Sequence, residues 1–406
     1  MKNILLISIL LFAKMISAQN TLPDYLETAA KNNPELASKF SEYNASLQVI
    51  PQVKALPDPQ ISFGYFIMPV ETRTGPQQAK ISASQFFPWF GTLKAKENAA
   101  IQAAKAKYEA FEQAKSKLFL NIRTSYYTLY YIQKSIHITE ENLIILKSFK
   151  KLAAVKVEIG KASATDELRI DMEIAELENK LALLKDSFYS EQVKFNKLLN
   201  TEKESSIVIT EIKDDVFKID TQTVLDSILA NNHDLRTLDF NLKSLDYLKT
   251  AAEKDGKPKF SIGADYTFIG TGENNLAGTD AFFAPKIGFS IPINRKKYKA
   301  KVSEVIFKQD ALNFKKENTR NLLEAVFEEI YKDFKDAERR IKLYENQTNI
   351  AKRLMRLQEN EYAVNSTGFE EILRTERKIL NYNLALEKAK SDREKAKARI
   401  YFLTGN

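Results

Sequence analysis

The chain has 406 residues, 61 lysines and arginines against 53 acids for a formal net charge of +8, and no cysteine. The missing cysteines exclude disulfides, thiolate metal sites and a lipidated N-terminal cysteine. Lysine and glutamate interleave, as in Lys94-Ala95-Lys96-Glu97 and Glu387-Lys388-Ala389-Lys390, which reads as solvated helix faces and lacks the aromatic-set basic stripe of a nucleic-acid surface.

Residues 1–18 read as a secretory signal: Lys2, an apolar run from Ile4 to Ala13, then Ser17-Ala18 before Gln19. The run is too short to span a bilayer as a helix. Its removal takes away Lys2 and Lys14 and no acid, lowering the net charge from +8 to +6.

The remainder of the chain reads as two copies of one unit. The first opens Leu26-Glu27-Thr28-Ala29-Ala30-Lys31-Asn32-Asn33-Pro34-Glu35-Leu36, and Leu225-Asp226-Ser227-Ile228-Leu229-Ala230-Asn231-Asn232-His233-Asp234-Leu235 opens the second, at an offset of 199 residues. The same offset carries Pro59, Ser62 and Gly64 onto Pro258, Ser261 and Gly263. So long a period indicates duplication of a whole subdomain, not a solenoid of small units. The copies are expected at 19–210 and 211–406.

After the first opening comes a hairpin expected over about 59–88. In Ile61-Ser62-Phe63-Gly64-Tyr65-Phe66-Ile67 the odd positions are apolar, and the partner strand runs from about Ala79 to Phe87. A helix is expected over about 92–159, with a seam at Leu118, Ile122, Ser125, Leu129, Ile132, Ile136, Thr139, Leu143 and Leu146. At 1.5 Å per residue that is roughly 100 Å of rod, against a usual helix of about 11–12 residues. The next helix, about 164–200, carries Ile170, Ile174, Leu177, Leu181, Leu184, Phe188, Phe195 and Leu198 at spacings of three, four and seven, with Glu191 as a polar break. Residues 201–220 interrupt the helical pattern and hold a short β-like stretch, Ile207-Val208-Ile209.

The second copy repeats the order. Its hairpin, about 259–292, puts Phe260, Ile262, Ala264, Tyr266 and Phe268 on one face and Ser261, Gly263, Asp265 and Thr267 on the other, with Ile287, Phe289 and Ile291 on the partner strand. A helix over about 297–364 shows a seam from Leu323 through Phe327, Ile330 and Phe334 to Met355, and one over about 369–404 shows Ile372, Thr375, Ile379, Tyr382, Leu386 and Ala389. Sustained heptads mean helices packed along their length.

Alternating segments of about ten residues are the pattern of a membrane β-barrel. An ordinary half-buried hairpin is the alternative, but no other apolar sheet exists here for the hairpins to pack against. Four strands cannot close a barrel, and lipid does not tolerate open strand edges. Closure therefore needs further chains: two give eight strands, three give twelve.

The duplicated helix–hairpin–helix plan behind a signal peptide, with its Asn32-Asn33-Pro34 opening, resembles the outer-membrane efflux (TolC-like) family over nearly all of the mature chain. The stretch Phe87-Pro88-Trp89-Phe90-Gly91-Thr92-Leu93-Lys94 is similar to the Pro-Trp-x-Gly-Lys-Leu of members that serve metal exporters, with Thr92 in place of the lysine. The resemblance implies a mainly α chain with membrane β-hairpins. Three copies would form a twelve-stranded outer-membrane barrel continued by a long α-helical periplasmic barrel, with no cofactor and no enzymatic activity. It also implies a homotrimer, a periplasmic adaptor (membrane fusion protein) and an inner-membrane pump of resistance–nodulation–division type as partners, with the cargo metal cations or small toxic compounds. Two other readings are the outlet of a type I protein-secretion system and a periplasmic coiled-coil adaptor. Pro88 and Pro292 then mark strand-to-helix junctions with Trp89 and Gly91, since proline ends a strand ladder and holds its predecessor extended.

Both copies break their helix pair at equivalent turns, at Gly160-Lys161-Ala162-Ser163 and at Asn365-Ser366-Thr367-Gly368. Glycine and asparagine close helices in left-handed geometry, and acids come at the next helix starts, where the macrodipole favours them. By resemblance these turns dock the adaptor, and Tyr362, Glu371, Arg374, Asp166 and Arg169 are gate candidates. Catalysis has little support: His137 and His233 are the two histidines, neither with a spaced partner, and no metal-ligand cluster or phosphate-cradling loop is present.

Overall fold

The computed structural model of the chain describes residues 21–73, 75–160, 163–212, 217, 219–271, 281–365 and 369–406. The signal segment lies outside them. In chain order the elements are α1 Leu22–Asn32, α2 Pro34–Lys54, β1 Gln60–Tyr65, β2 Glu71–Thr72, β3 Gly75–Phe87, α3 Thr92–Glu158 and α4 Ala164–Leu198. They continue as α5 Thr221–Asn231, α6 His233–Asp255, β4 Lys259–Ile269, β5 Ala281–Ser290, α7 Arg295–Asn365 and α8 Phe369–Leu403. The chain divides into two compact units, one of Met1–Ser38, Glu112–Asn232 and Asn321–Asn406, the other of Lys39–Phe111 and His233–Arg320. Each draws on both halves of the sequence.

The second unit holds the sheet, in strand order β1-β3-β4-β5, all antiparallel, with the short β2 paired only to β3. The hairpins meet through β3 and β4, where Phe87 faces Phe260, Ala83 faces Ala264 and Ile81 faces Tyr266. Because side chains alternate along a strand, this register gathers Ile61, Phe63, Ile81, Ile262, Phe283, Ile287 and Phe289 on one face. All are exposed, Ile61 at 77% and Ile287 at 75%. Ser62, Ser82, Ser84, Ser261 and Asp265 fall on the other. An exposed, continuous apolar face is the reverse of what water selects.

The other unit is built on heptads. Leu118, Ile122, Leu129, Ile132, Leu143 and Leu146 of α3 are buried, as are Ile170, Ile174, Leu177 and Phe195 of α4. On α7 the seam residues Phe327, Ile330, Phe334, Ala337, Ile341, Ala351 and Met355 are buried too. Ile170, Ile174, Met355, Ile372 and Ile379 belong to one cluster; Phe327, Ile330 and Phe334 join Ile228, Ile400 and Leu403 in another. The asparagines of the repeated opening motif have a local role. Asn33 Oδ1 accepts from Leu36 N at 3.1 Å and its Nδ2 donates to Leu198 O at 3.2 Å. Asn232 repeats the second bond, Nδ2 to Leu403 O at 3.1 Å. Each asparagine thus answers a carbonyl that a helix C-terminus leaves unpaired.

One expectation fails. Ile207-Val208-Ile209 forms no strand. Instead Val208 N donates to the hydroxyl of Tyr25 at 2.9 Å and Thr210 N to that of Tyr126 at 2.8 Å, so side chains satisfy the extended backbone that a strand partner would otherwise pair.

The helical core also holds a carboxyl. Glu376 is 5% exposed and accepts from Asn142 Nδ2 at 2.6 Å. Two cavities of about 250 and 350 Å³ share Asn142, Glu376 and Leu380 in their walls. Burial pushes the carboxyl above its ordinary range and the like charge of Glu359 adds to this, while the Asn142 bond and Lys352 oppose it. An acid with a raised folded pKa contributes its stability fully below the unfolded value of about 4.3 and loses it as pH rises from there through the folded value.

Two outcomes are expected of this core. Phe334→Ala, at a side chain 2% exposed, should cost about 3–5 kcal/mol, read as a lower thermal midpoint in detergent. Phe334→Leu should lose less than half as much, and an unchanged midpoint for the alanine variant would contradict the seam. Glu376→Gln keeps an acceptor for Asn142, so it should raise the midpoint at neutral pH and remove part of the decline between about pH 4 and neutrality. Parallel pH profiles for wild type and variant would contradict the buried-carboxyl account.

Candidate functional site

Two features combine exposed position with organised chemistry: the paired helical turns and the polar face of the sheet. At the first turn α3 ends at Glu158, and Gly160 takes φ +69° with its N–H donating to Val157 O at 3.0 Å. A Cβ there would meet nothing within 4 Å, so backbone conformation, not space, demands glycine. Ser163 caps α4, its Oγ accepting from Thr165 N at 3.2 Å, and Asp166 and Glu167 occupy the first turn. At the second turn α7 runs to Asn365, and α8 begins at Phe369 with Glu370 and Glu371 in its first turn. Lys161, Ala162, Ser366, Thr367 and Gly368 lie outside the described residues, and Asn365 is described by its backbone alone.

The gate candidates do not converge on one point. Arg169 Nη1 pairs with Glu370 Oε2 at 2.9 Å, joining α4 to α8. Glu371 lies 3.2 Å from Arg374 on its own helix, and Arg374 is 3.7 Å from Glu370. The charge of Glu371, a gate candidate, is therefore answered inside the chain. These groups are half exposed or more, where such pairs contribute at most about 1 kcal/mol. A second α4–α8 link, Arg377 to Glu173, lies farther along the same helices.

Tyr362 is the exception, at 3% exposed. Its ring packs on Phe369 with centroids 5.2 Å apart. Lys156 sits over it, Nζ 3.5 Å from the ring centroid, and donates to Tyr362 O at 2.8 Å. The buried hydroxyl has no hydrogen-bond partner among the described residues. Burial raises its pKa, and Asp166 adds to the shift. Sequence reasoning missed Lys156 and Glu370. The pair Glu370-Glu371 was legible, but which of the two crosses to the neighbouring helix depends on rotation about the helix axis.

On the sheet, Asp265 is 7% exposed. Lys80 of β3 reaches its Oδ2 at 2.5 Å and Lys286 of β5 reaches Oδ1. One carboxylate thus ties three strands diagonally. At the strand ends Trp89 stacks on Phe260, centroids 5.7 Å apart, and Phe260 meets Phe289 at 5.4 Å. Phe90 is 75% exposed beside them. Such an aromatic rim is what a membrane interface favours. Pro88 comes directly after the last residue of β3, Gly91 takes φ +77°, and α3 starts at Thr92. Pro292 lies in the segment between β5 and α7.

The histidines differ in setting. His137 is exposed and pairs with Glu141 at 3.3 Å, one helical turn on. His233 is buried, its Nδ1 2.8 Å from Glu109, which Arg236 also contacts at 2.8 Å. That partner lies 124 residues away in sequence, which spacing along one segment does not reveal.

Among the described residues no helix is long and apolar enough to cross a membrane. Residues 25–201 match the outer membrane efflux protein family. The toxin and drug export protein A of Aggregatibacter actinomycetemcomitans is 22% identical over 321 residues, 77% of this chain and 69% of that protein. Among solved structures, CusC superposes with a TM-score of 0.80 at 15% identity, covering 96% of this chain and 93% of that one. The outer-membrane channel OprN gives 0.78 at 16%, covering 95% and 89%. The chain is thus similar to the outer membrane efflux protein family over residues 25–201 and shares the fold of these channels over nearly its whole length.

Proposed function

We propose that this protein is the passive exit duct of a tripartite efflux system in the outer membrane, carrying small toxic compounds or metal cations out of the cell. The observation that carries the reading is the sheet: one exposed face dominated by apolar side chains, the opposite face polar, and edges at β1 and β5 left unpaired among the described residues. Lipid covers such a face but not such edges, so strands from other copies must complete the ladder. Three chains give the twelve strands that the family resemblance implies.

The helices support the same assembly. Besides its buried seam, α7 exposes Leu343, Ile350, Leu354 and Leu357, again at heptad spacing, and α3 exposes Ile144, Leu152, Val155 and Ile159 lies just past its end. A second apolar stripe on a rod that has already buried one calls for further helices. The turns at Gly160–Ser163 and Asn365–Gly368 are then the periplasmic tip that meets an adaptor and, through it, a proton-driven inner-membrane pump. The Arg169–Glu370 pair and the Lys156–Tyr362 contact hold neighbouring helices of one chain together there. A tip that opens is a two-state element biased by its partner. The Pro88-Trp89-Phe90-Gly91 junction inclines the reading toward metal exporters. A type I secretion outlet shares the fold, and gene neighbours distinguish it.

Cell fractionation should find a heat-modifiable trimer in detergent-extracted outer membrane. A soluble periplasmic monomer would refute the duct and favour an adaptor. In planar bilayers Arg169→Ala and Glu370→Ala, which break the pair joining α4 to α8, should each loosen the closed tip and raise single-channel conductance, and unchanged conductance in both would sink the gate assignment.

A further inference from the structure

The charge on the sheet is distributed unequally. Alternation and register assign the paired residues of β1, β3, β4 and β5 to one face or the other, and the apolar face carries no ionisable side chain except the phenols of Tyr65 and Tyr266. The polar face carries Lys80, Lys259, Lys286 and Asp265, and its other positions are uncharged. Three lysines against one aspartate leave two positive charges per chain, or six in a three-chain barrel.

The register prevents further neutralisation within these four strands, and the short β2 adds Glu71 opposite Pro76. Lys80 lies opposite Gly64 and Thr267, Lys286 opposite Gly263, and Lys259 opposite Ser290. The one acid is shared between Lys80 and Lys286, whose side chains remain 37% and 49% exposed. A face selected only for contact with water mixes both signs, as the helices of this chain do.

We propose that in the assembled duct this face lines an electropositive exit, so that the strand-built segment prefers anions and the cargo class is small anions and anionic amphiphiles, not free metal cations. The inference rests on the duct reading and chooses between its two cargo classes, against the metal cations that the Pro88-Trp89-Phe90-Gly91 junction suggests. In a membrane barrel the polar face is the lumen. Walls of low dielectric focus the field of fixed charges and raise the local concentration of the opposite ion by about 10- to 1,000-fold. Rings of lysine are a known means of selecting anions in pores.

The test uses the full-length protein in planar bilayers, with inserted channels oriented by the sign of their rectification. Under a potassium chloride gradient the reversal potential should show chloride favoured over potassium. Inorganic tripolyphosphate added on the barrel side should block, and hexaamminecobalt(III) added there should not. In the Lys80→Gln/Lys286→Gln double variant the tripolyphosphate block should weaken about tenfold, and Asp265→Asn should strengthen it. Lys80→Arg/Lys286→Arg, which keeps both charges and the contacts to Asp265, should behave as wild type and so separates charge from folding. Potassium preference, block by the cobalt complex, or a block insensitive to the glutamine substitutions would overturn this inference and leave the duct standing. Absence of any channel from wild type would instead overturn the duct reading on which it rests.

Discussion

A β-sheet in lipid has to pair every backbone N–H and C=O, and this chain brings four principal strands whose ladder ends at β1 on one side and β5 on the other. Much else depends on that condition. The hairpins come from opposite halves of the sequence, yet they join through the β3–β4 ladder, from Gln77 opposite Ile269 to Phe87 opposite Phe260. Asp265, reaching Lys80 and Lys286, adds a diagonal tie across the same joint. On the duct reading, the two remaining edges are the sites where copies meet.

The helical unit solves a different problem with a different period. Its rods bury one heptad stripe against each other and keep a second exposed, as Phe327, Ile330 and Phe334 against Leu343, Ile350 and Leu357 illustrate on α7. Polar groups enter that core on different terms: Asn33 and Asn232 answer helix-end carbonyls, whereas Glu376 keeps one hydrogen bond and an unfavourable environment. The turns are tied by groups of contrasting strength. Arg169–Glu370 is an exposed ion pair, and Lys156 over Tyr362 combines a hydrogen bond with a cation–ring contact at a buried site. The former joins α4 to α8 and the latter α3 to α7.

Much of this architecture is legible in the sequence because it rests on periodicity. The long helices expected over 92–159, 164–200, 297–364 and 369–404 occur as Thr92–Glu158, Ala164–Leu198, Arg295–Asn365 and Phe369–Leu403. Long heptad runs leave little freedom in where a helix begins and ends. The apolar faces of the strands were readable from alternation alone. The expectation of β structure at Ile207–Ile209 failed because three β-branched residues favour an extended backbone without specifying what pairs with it, and here tyrosine hydroxyls do so.

What the sequence by itself determined is therefore the long helices, the hairpin strands and the apolar face of each, since these depend on periods of 2 and 3.5 that a single segment displays. Tertiary structure alone decided which groups meet. Glu370 rather than Glu371 crosses to Arg169, Lys156 covers Tyr362, Glu109 receives His233 from 124 residues away, and Asp265 falls between two lysines on different strands. Such pairings depend on the rotation of a helix about its axis and on the register of a ladder. A turn of one residue about the axis, or a slip of one along the strand, leaves the segment's own pattern intact while sending each side chain to a different neighbour.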